Sequence, residues 1–260
     1  MKQFVILTLF VVISATDLVA WSRQDSVPAQ QRTNAEPRKS DDVNRMLEQI
    51  KGRKTAERRE AIDQLAESGD PRAVDAVIAA LKDQEGDVRA SAANALGQLG
   101  NKRAVEPLIS MLTDDVSFVR AAAARVLGQL GDPKALDPLT TSLRDGNSTV
   151  RGAAAMGLGS LKEPRAVPAL IAALRDEAPD VRAAVATALG DIRDKRAVDP
   201  LVQALKDESR MVKLAAALAL ADVGDKRGVP ALTEAVANEK DEESRSQMKE
   251  ALQRLLAAPE

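Results

Sequence analysis

A unit of 31 residues repeats along this chain, and no other feature of the sequence constrains the fold as strongly. The clearest copy runs from Gly69 to Leu99. Three columns recur at this period, two of leucine and one of a basic residue. They consist of Leu65, Leu96, Leu127, Leu158, Leu189 and Leu220; of Leu81, Leu112, Leu143, Leu174 and Leu205; and of Arg58, Arg89, Arg120, Arg151, Arg182 and Lys213. A fixed period of about 20 to 50 residues is typical of a solenoid, in which similar units stack side by side.

Each unit has the pattern of two helices. Apolar residues at helical spacing, such as Val77–Leu81, predict a short first helix, and an alanine-rich segment, Val88–Gln98 in the clearest copy, predicts the second. A glycine after several second helices indicates a left-handed helix stop. In three units a proline follows an acid, and from this arrangement we predict a short turn before the main part of each first helix. These prolines are Pro107, Pro138 and Pro200.

The repeats predict seven helix pairs between residues 41 and 257. The opening pair, 41–68, and the closing pair, 224–257, are rich in charged residues, as expected of terminal repeats that lack a neighbour on one side. The regular units between them are 69–99, 100–130, 131–161, 162–192 and 193–223.

The repeat resembles the short HEAT-like repeat of phycobilisome (PBS) lyase-type proteins. The matching residues are G-D-P-R-A-V-x-x-V-I-x-A-L-K-D at Gly69–Asp83 and D-V-R-x-x-A-A-x-A-L-G at Asp87–Gly97. The match is specific over residues 69–223 and looser at both ends. The resemblance implies an all-α, right-handed solenoid, a HEAT/armadillo-like superhelix. It implies no reaction, because one fold can carry many functions.

The composition argues against several kinds of chemistry. None of the 260 residues is cysteine or histidine, so the ligands of most zinc and non-haem iron sites and the commonest general base are missing. The net charge of −2 offers no overall attraction for nucleic acid, and Phe118 is the one aromatic residue after residue 40, so bases would find no stacking platform. We therefore expect no cofactor, no enzymatic activity and no nucleic-acid partner.

The N-terminus has the pattern of an export signal. Lys2 precedes a largely apolar run at Phe4–Ala15, which predicts a signal peptide over residues 1–20. The alternative is an uncleaved membrane anchor formed by residues 4–20. Residues 21–40 are polar and contain two prolines, so we expect a disordered linker there. The predicted location is periplasmic or secreted, with membrane anchoring as the alternative.

A column of aspartates lies six residues before the basic column. In HEAT-type proteins such an acid and base pair between repeats, so the resemblance implies a structural ladder along the solenoid. A phosphate-binding stripe of arginines is the alternative interpretation. The predicted ladder consists of Asp83, Arg89, Asp114, Arg120, Asp145, Arg151, Asp176, Arg182, Asp207 and Lys213.

One face of the second helix varies between repeats while its other positions stay the same. Residues four apart share a helix face, and second helices of such repeats line the concave side. The varying residues are Asn94, Arg125, Met156, Thr187 and Leu218, followed four residues later by Gln98, Gln129, Ser160, Asp191 and Asp222. Variation on one face is typical of a repeat protein that binds a partner there. Solvated positions that are free to vary are the alternative.

The sequence therefore predicts a monomeric, exported scaffold that binds a protein or peptide on its concave face. It would contact a membrane only through an uncleaved N-terminal segment. The resemblance leaves open a lyase or isomerase acting on a bilin, a linear tetrapyrrole, with an acidic corner of Asp191, Asp222, Asp194 and Asp225. Asp194 and Asp225 also fit the role of helix caps. A spacer within a larger envelope assembly is a third hypothesis.

Overall fold

The computed structural model describes residues 39–259. The predicted signal segment and the predicted linker up to residue 38 lie outside the described residues. The described part contains fourteen α-helices and no strand, and none of these helices is long and apolar enough to cross a membrane. The helices are α1 (Lys39–Gln49), α2 (Thr55–Ser68), α3 (Ala73–Ala80), α4 (Gly86–Leu99), α5 (Val105–Met111), α6 (Ser117–Leu130), α7 (Leu136–Ser142), α8 (Ser148–Leu161), α9 (Val167–Ala173), α10 (Pro179–Ile192), α11 (Val198–Ala204), α12 (Arg210–Val223), α13 (Val229–Asn238) and α14 (Glu242–Ala257). The prediction of an all-α solenoid of helix pairs is confirmed.

A short first helix and a longer second helix alternate along the chain. The prediction of a short turn before the first helix is confirmed for α5, α7, α9, α11 and α13, each of which follows a three-residue 3₁₀ helix. In four of these turns the preceding side chain accepts the amide hydrogen two residues later. These residues are Asn101, Asp132, Asp194 and Asp225. The second helix predicted at Val88–Gln98 begins two residues earlier, at Gly86, because apolar periodicity does not mark a polar first turn.

The second helices from α2 to α12 end in the left-handed conformation, as the glycine pattern predicts, whereas α14 ends at Ala258 in extended backbone. Gly100, Gly131 and Gly224 have φ angles of 63°, 62° and 72°. Lys162 and Arg193 occupy the same position in the two intervening repeats, with φ angles of 53° and 58°. Left-handed backbone costs a residue with a Cβ about 1 kcal/mol, so packing of the neighbouring repeats imposes this geometry where the sequence does not favour it.

The core is a ribbon shared by adjacent helix pairs. The leucines of the second helices are fully buried, and so are their counterparts on the first helices. They are Leu65, Leu96, Leu127, Leu158, Leu189 and Leu220, with Leu108, Leu139, Leu170 and Leu201. Burial of each such side chain contributes about 1.5–3 kcal/mol.

The second helices line the inner side of the solenoid. They contact one another closely from α6 through α12, whereas the first helices of consecutive pairs hardly touch. Because the second helices pack closer together than the first helices do, the stack curves toward the row of second helices. The exposed side of α2, α4, α6, α8, α10, α12 and α14 is called the inner face below.

Glycine and alanine allow the close approach of the second helices. A Cβ on Gly128 of α6 would lie 2.4 Å from the Cα of Gly157 on α8, and a Cβ on Gly190 would lie 2.8 Å from the Cα of Ala219. Two backbones can come this near only where no side chain stands between them. The small residues of the repeat therefore set the spacing of the inner row.

An arginine of each second helix from α2 to α10 joins two repeats. Arg89 donates from Nε and Nη2 to the two carboxylate oxygens of Asp114, at 2.7 and 2.8 Å, and from Nη1 to the backbone carbonyls of Asp83 and Gln84. Asp114 also accepts the amide hydrogen of Val116. Equivalent contacts join Arg58 to Asp83, Arg120 to Asp145, Arg151 to Asp176 and Arg182 to Asp207.

The ladder is thus staggered by one repeat. Each aspartate of the predicted ladder binds the arginine of the preceding pair, and each arginine reaches the loop of its own pair only through backbone carbonyls. At the C-terminal end Lys213 donates to Glu239, at 2.9 Å, in place of the expected aspartate. Glu239 is buried. The 31-residue period places Asn238 at the position of the ladder aspartates, because this loop is one residue longer than the others. The sequence analysis therefore missed Glu239.

The ladder lowers the pKa of its carboxyl groups. The hydrogen bonds from Arg151 outweigh the opposing effect of burial and, with the amide of Ala178, hold the pKa of Asp176 below its ordinary value of 3.8. Arg120 acts in the same way on the pKa of Asp145. A folded-state pKa below the unfolded one means that this contribution to stability is complete above about pH 4 and is lost as the pH falls through the folded pKa.

We expect Gly128→Ala to lower the free energy of unfolding by about 1–3 kcal/mol, since the new methyl group would meet the backbone of Gly157. Urea unfolding followed by circular dichroism measures the change. The matched control is Gly152→Ala in α8, where the added Cβ meets no atom within 4 Å. Gly152→Ala should raise stability by about 0.5–1 kcal/mol through helix propensity. Equal effects of the two changes would contradict the close approach.

We expect Asp176→Asn to cost about 2 kcal/mol at pH 7, because the part-buried Arg151 loses its charged acceptor. The stability difference from the unmodified protein should shrink as the pH falls below about 4, where Asp176 itself becomes protonated. Urea unfolding at pH 7, 4.5 and 3 measures this. The neighbouring exposed Glu177→Gln should change stability little. A difference that stays constant with pH would argue against the assigned ion pair.

Candidate functional site

The residues of the predicted stripe lie on the inner face. Asn94, Arg125, Met156 and Thr187 are exposed on four consecutive second helices, and Leu218 is half-buried on α12. The predicted residues four positions further along each helix are arranged in the same way. Gln98, Gln129, Ser160 and Asp191 are exposed, and Asp222 is half-buried. The structure therefore brings one variable residue from each repeat into two adjacent rows that cross the helices.

A groove of about 620 Å³ occupies the middle of the inner face, between α4 and α10. Its sides include Asn94, Arg125, Met156 and Phe118. The remaining surface is made largely of small residues, because the repeat places alanine or glycine between the larger positions. These residues are Ala90, Ala121, Ala122, Gly152, Ala153 and Ala184.

Two large apolar side chains stand exposed in this groove. Phe118 is 48% exposed and Met156 is 54% exposed, which are unusual fractions for such side chains. Met211 of α12, at 47%, occupies the position of Phe118 three repeats later. Along the inner face, large apolar groups thus remain in water, whereas the column of Leu96, Leu127 and Leu158 is completely buried.

Phe118 and Met211 were missed as site residues by the sequence analysis. They lie in the first turn of the second helix, directly before a buried valine, in the column that also contains Asp87, Thr149 and Asp180. Five repeats place four different residue types at this position. That variation was the signal, but the predicted stripe began seven residues further along the helix, at the position of Arg125.

Polar contacts distinguish the members of the stripe. Arg125 donates from Nη2 to the side-chain oxygen of Asn94 on the preceding repeat, at 2.6 Å. The hydroxyl groups of Thr187 and Ser160 donate to carbonyls of their own helices, at 3.1 and 3.0 Å. The guanidinium of Arg125, beside Met156, is therefore the main polar group that this part of the inner face presents to a ligand.

The four aspartates of the predicted acidic corner separate into two pairs. Although the residue as a whole is exposed, partial burial of its carboxyl group raises the pKa of Asp191. The negative charge of nearby Asp222 raises it further, and Lys162 and Arg193 oppose the shift. Asp222 also pairs with Arg254 of α14. Asp194 and Asp225 instead cap 3₁₀ turns and bind the guanidinium groups that follow them in sequence, those of Arg196 and Arg227.

Comparisons with known proteins agree with this architecture. A family model described as HEAT repeats matches residues 43–125, 117–178 and 167–253. The comparison with curated proteins finds no match to the chain.

Several solved structures share the fold. A chain of the complex of CpcE and CpcF of phycocyanin lyase from Nostoc sp. PCC7120 is 22% identical, with a TM-score of 0.56, over 90% of this chain and 99% of that one. A chain from the structure of Kap95p bound to RanGDP is 14% identical, with a TM-score of 0.66, over 86% of this chain and 37% of that one. An engineered protein is 20% identical, with a TM-score of 0.51, over 84% and 69%. At these identities the likeness is one of fold alone.

Proposed function

This chain belongs to the family of HEAT-repeat proteins, and from that premise we propose that it is a non-enzymatic scaffold that binds a protein or peptide in the inner-face groove. The observation that carries the proposal is the exposure of Phe118 and Met156 side by side with Arg125. Phenylalanine, methionine and arginine are all enriched in the cores of protein interfaces. Because about half of each apolar side chain is already out of water, its burial by a partner would contribute roughly 1 kcal/mol to binding before the costs of association.

The shape of the groove favours a segment of chain as the ligand. Its surface of alanine and glycine allows a partner's backbone or a bulky side chain to come close to the helices. Tyrosine is absent from the chain and tryptophan is absent after residue 21, so the strongest usual anchors are missing on this side of the interface. The affinity would therefore come from a long contact across several repeats.

The related folds support a binding role. The lyase structure is a complex of two different chains, and the Kap95p structure is a complex with RanGDP. In both cases a solenoid of this type occurs in an assembly with another protein. The absence of cysteine and histidine supports a scaffold more than an enzyme.

We also propose that the protein acts after export, as a monomer in the periplasm or outside the cell. The support is the basic start and the apolar run at Phe4–Ala15. The absence of cysteine is compatible with an oxidising compartment. The partner would then be a protein of the cell envelope or the exterior.

We expect the double change Phe118→Ser and Met156→Glu to abolish partner capture without loss of the fold, since both side chains are exposed. The measurement is chemical crosslinking in the native envelope followed by mass spectrometry, with circular dichroism as the check on folding. The matched control is Thr141→Glu, an exposed position on the outer helix α7. Unchanged crosslinks in the double variant would show that the groove is not the binding site.

One observation favours the bilin hypothesis as a second candidate. Asp191 has a raised pKa beside Asp222, and a positioned carboxyl group is one of the groups that can act as a general acid or base. If the protein acts on a bilin, mixing the two should give a shifted visible absorbance band that disappears in Asp191→Asn/Asp222→Asn. If the protein is a scaffold, we expect the absorbance band of bilin to stay unchanged with both the unmodified protein and the double variant. Absorbance spectroscopy of the purified protein with free bilin therefore separates the two functions.

A further inference from the structure

Arg125 is the one basic residue among those that line the inner-face groove. It is exposed on α6, and its guanidinium donates from Nη2 to the side chain of Asn94 on α4, at 2.6 Å. Because arginine has only donors, the amide oxygen of Asn94 is the acceptor, and this acceptor is uncharged. Asn94 therefore holds the guanidinium in place without compensating its positive charge.

Arg254 and Arg103 also reach the preceding repeat, and each meets a carboxylate there. Arg254 of α14 pairs with Asp222 of α12, and Arg103 binds Asp75 of α3 at 2.6 Å. Within residues 41–259, Arg125 forms no ion pair. Its contact to the preceding repeat thus has the same form as theirs but lacks the acid.

In the described part of the chain, the second helices around Arg125 hold no acid near its guanidinium. Helices α6 and α8 contain no acidic residue, and Asp87 of α4 lies about 10 Å along that helix from Asn94. The acids of α2 and α10, among them Asp180 at the far side of the groove, are two helix-to-helix steps away, or roughly 16–20 Å. Exposed charges more than about 8 Å apart are largely screened at physiological ionic strength. The charge of Arg125 is therefore available to a ligand.

We propose that the partner segment carries an aspartate or glutamate side chain that binds Arg125, next to a bulky apolar side chain that covers Met156 and Phe118. This proposal rests on the proposed function and adds the chemistry of the ligand. The single hydrogen bond to Asn94 leaves other N–H groups of the guanidinium to bind both oxygens of a carboxylate. A partner that covers the two apolar side chains also excludes water from this ion pair, which strengthens it.

The extent of the groove indicates that the carboxylate belongs to a side chain and not to the end of a chain. The groove spans four second helices, α4 to α10, and Arg125 lies on the second of them. A segment that covers the whole groove therefore continues past Arg125 on both sides. Arg125 and Met156 are one helix-to-helix step apart, roughly 8–10 Å, which an extended chain covers with about two or three residues.

The test is a selection from random twelve-residue peptides displayed on phage, with the immobilised full-length protein as the target. The selected peptides should contain an acid two or three residues from a large apolar residue, about threefold or more above its frequency in the unselected library. Selection on Arg125→Gln should retain the apolar residues and lose the excess of acids.

Calorimetry with one selected peptide, amidated at its C-terminus, locates the effect. Asn94→Asp should weaken binding about fivefold or more, because the new carboxylate neutralises Arg125 within the protein. Asn94→Ala keeps that charge uncompensated and should leave the affinity within about twofold. The matched control at the far side of the groove is Asp180→Asn, which should also leave it within about twofold.

A double-mutant cycle identifies the contact itself. Arg125→Gln in the protein and replacement of the peptide's acid by its amide should each weaken binding about fivefold. Together they should weaken it hardly more than either alone, because both remove the same contact.

Selected peptides without an excess of acids, failure to select any peptide, additive effects in the cycle, or equal effects of Asn94→Asp and Asn94→Ala would each overturn the proposal. If peptides without acids are selected and do not bind Phe118→Ser/Met156→Glu, the groove remains the binding site and the acidic ligand is wrong. If acid-containing peptides bind as expected while the crosslinks in the native envelope persist in that double variant, the groove's role as the native site fails.

Discussion

The staggered contact between an arginine and the aspartate 25 residues later determines how each helix pair sits on the next. The guanidinium of Arg120 binds both carboxylate oxygens of Asp145 while it holds the loop carbonyls of its own pair. A planar, two-point contact of this kind tolerates little rotation or sliding. Repeated five times, from Arg58–Asp83 to Arg182–Asp207, it gives successive repeats the same position relative to one another and aligns their buried leucines. The cost of removing both charges from water offsets much of the stability that a part-buried ion pair adds. Its main effect is therefore to fix the position of one repeat on the next.

Close packing of the second helices follows from that register. Once the pairs are aligned, Gly128 meets Gly157 and Gly190 meets Ala219 across the inner row. The same alignment brings the variable position of each repeat into rows that no single helix contains. The inner face is therefore a product of stacking, and its composition can change from repeat to repeat without disturbing the core below it.

The distribution of charge and of apolar surface separates the two faces of the solenoid. On the first helices, Asp75 and Glu106 pair with bases of the next repeat, whereas the inner face holds exposed Phe118 and Met156 in one groove with Arg125 and Asp180.

The sequence by itself determined the helix pairs, their period, the buried leucine columns and the glycine stops, because all of these follow from local periodicity and backbone preference. It also located the variable rows at Arg125 and Met156. Only the tertiary structure decided which aspartate each arginine binds, that Glu239 replaces the expected acid opposite Lys213, and that Lys162 takes a left-handed backbone. Only the tertiary structure places Phe118 and Met156 in the same groove. Those features depend on contacts between residues about 25 to 40 positions apart, and no local pattern specifies which side chains meet when one repeat packs on the next.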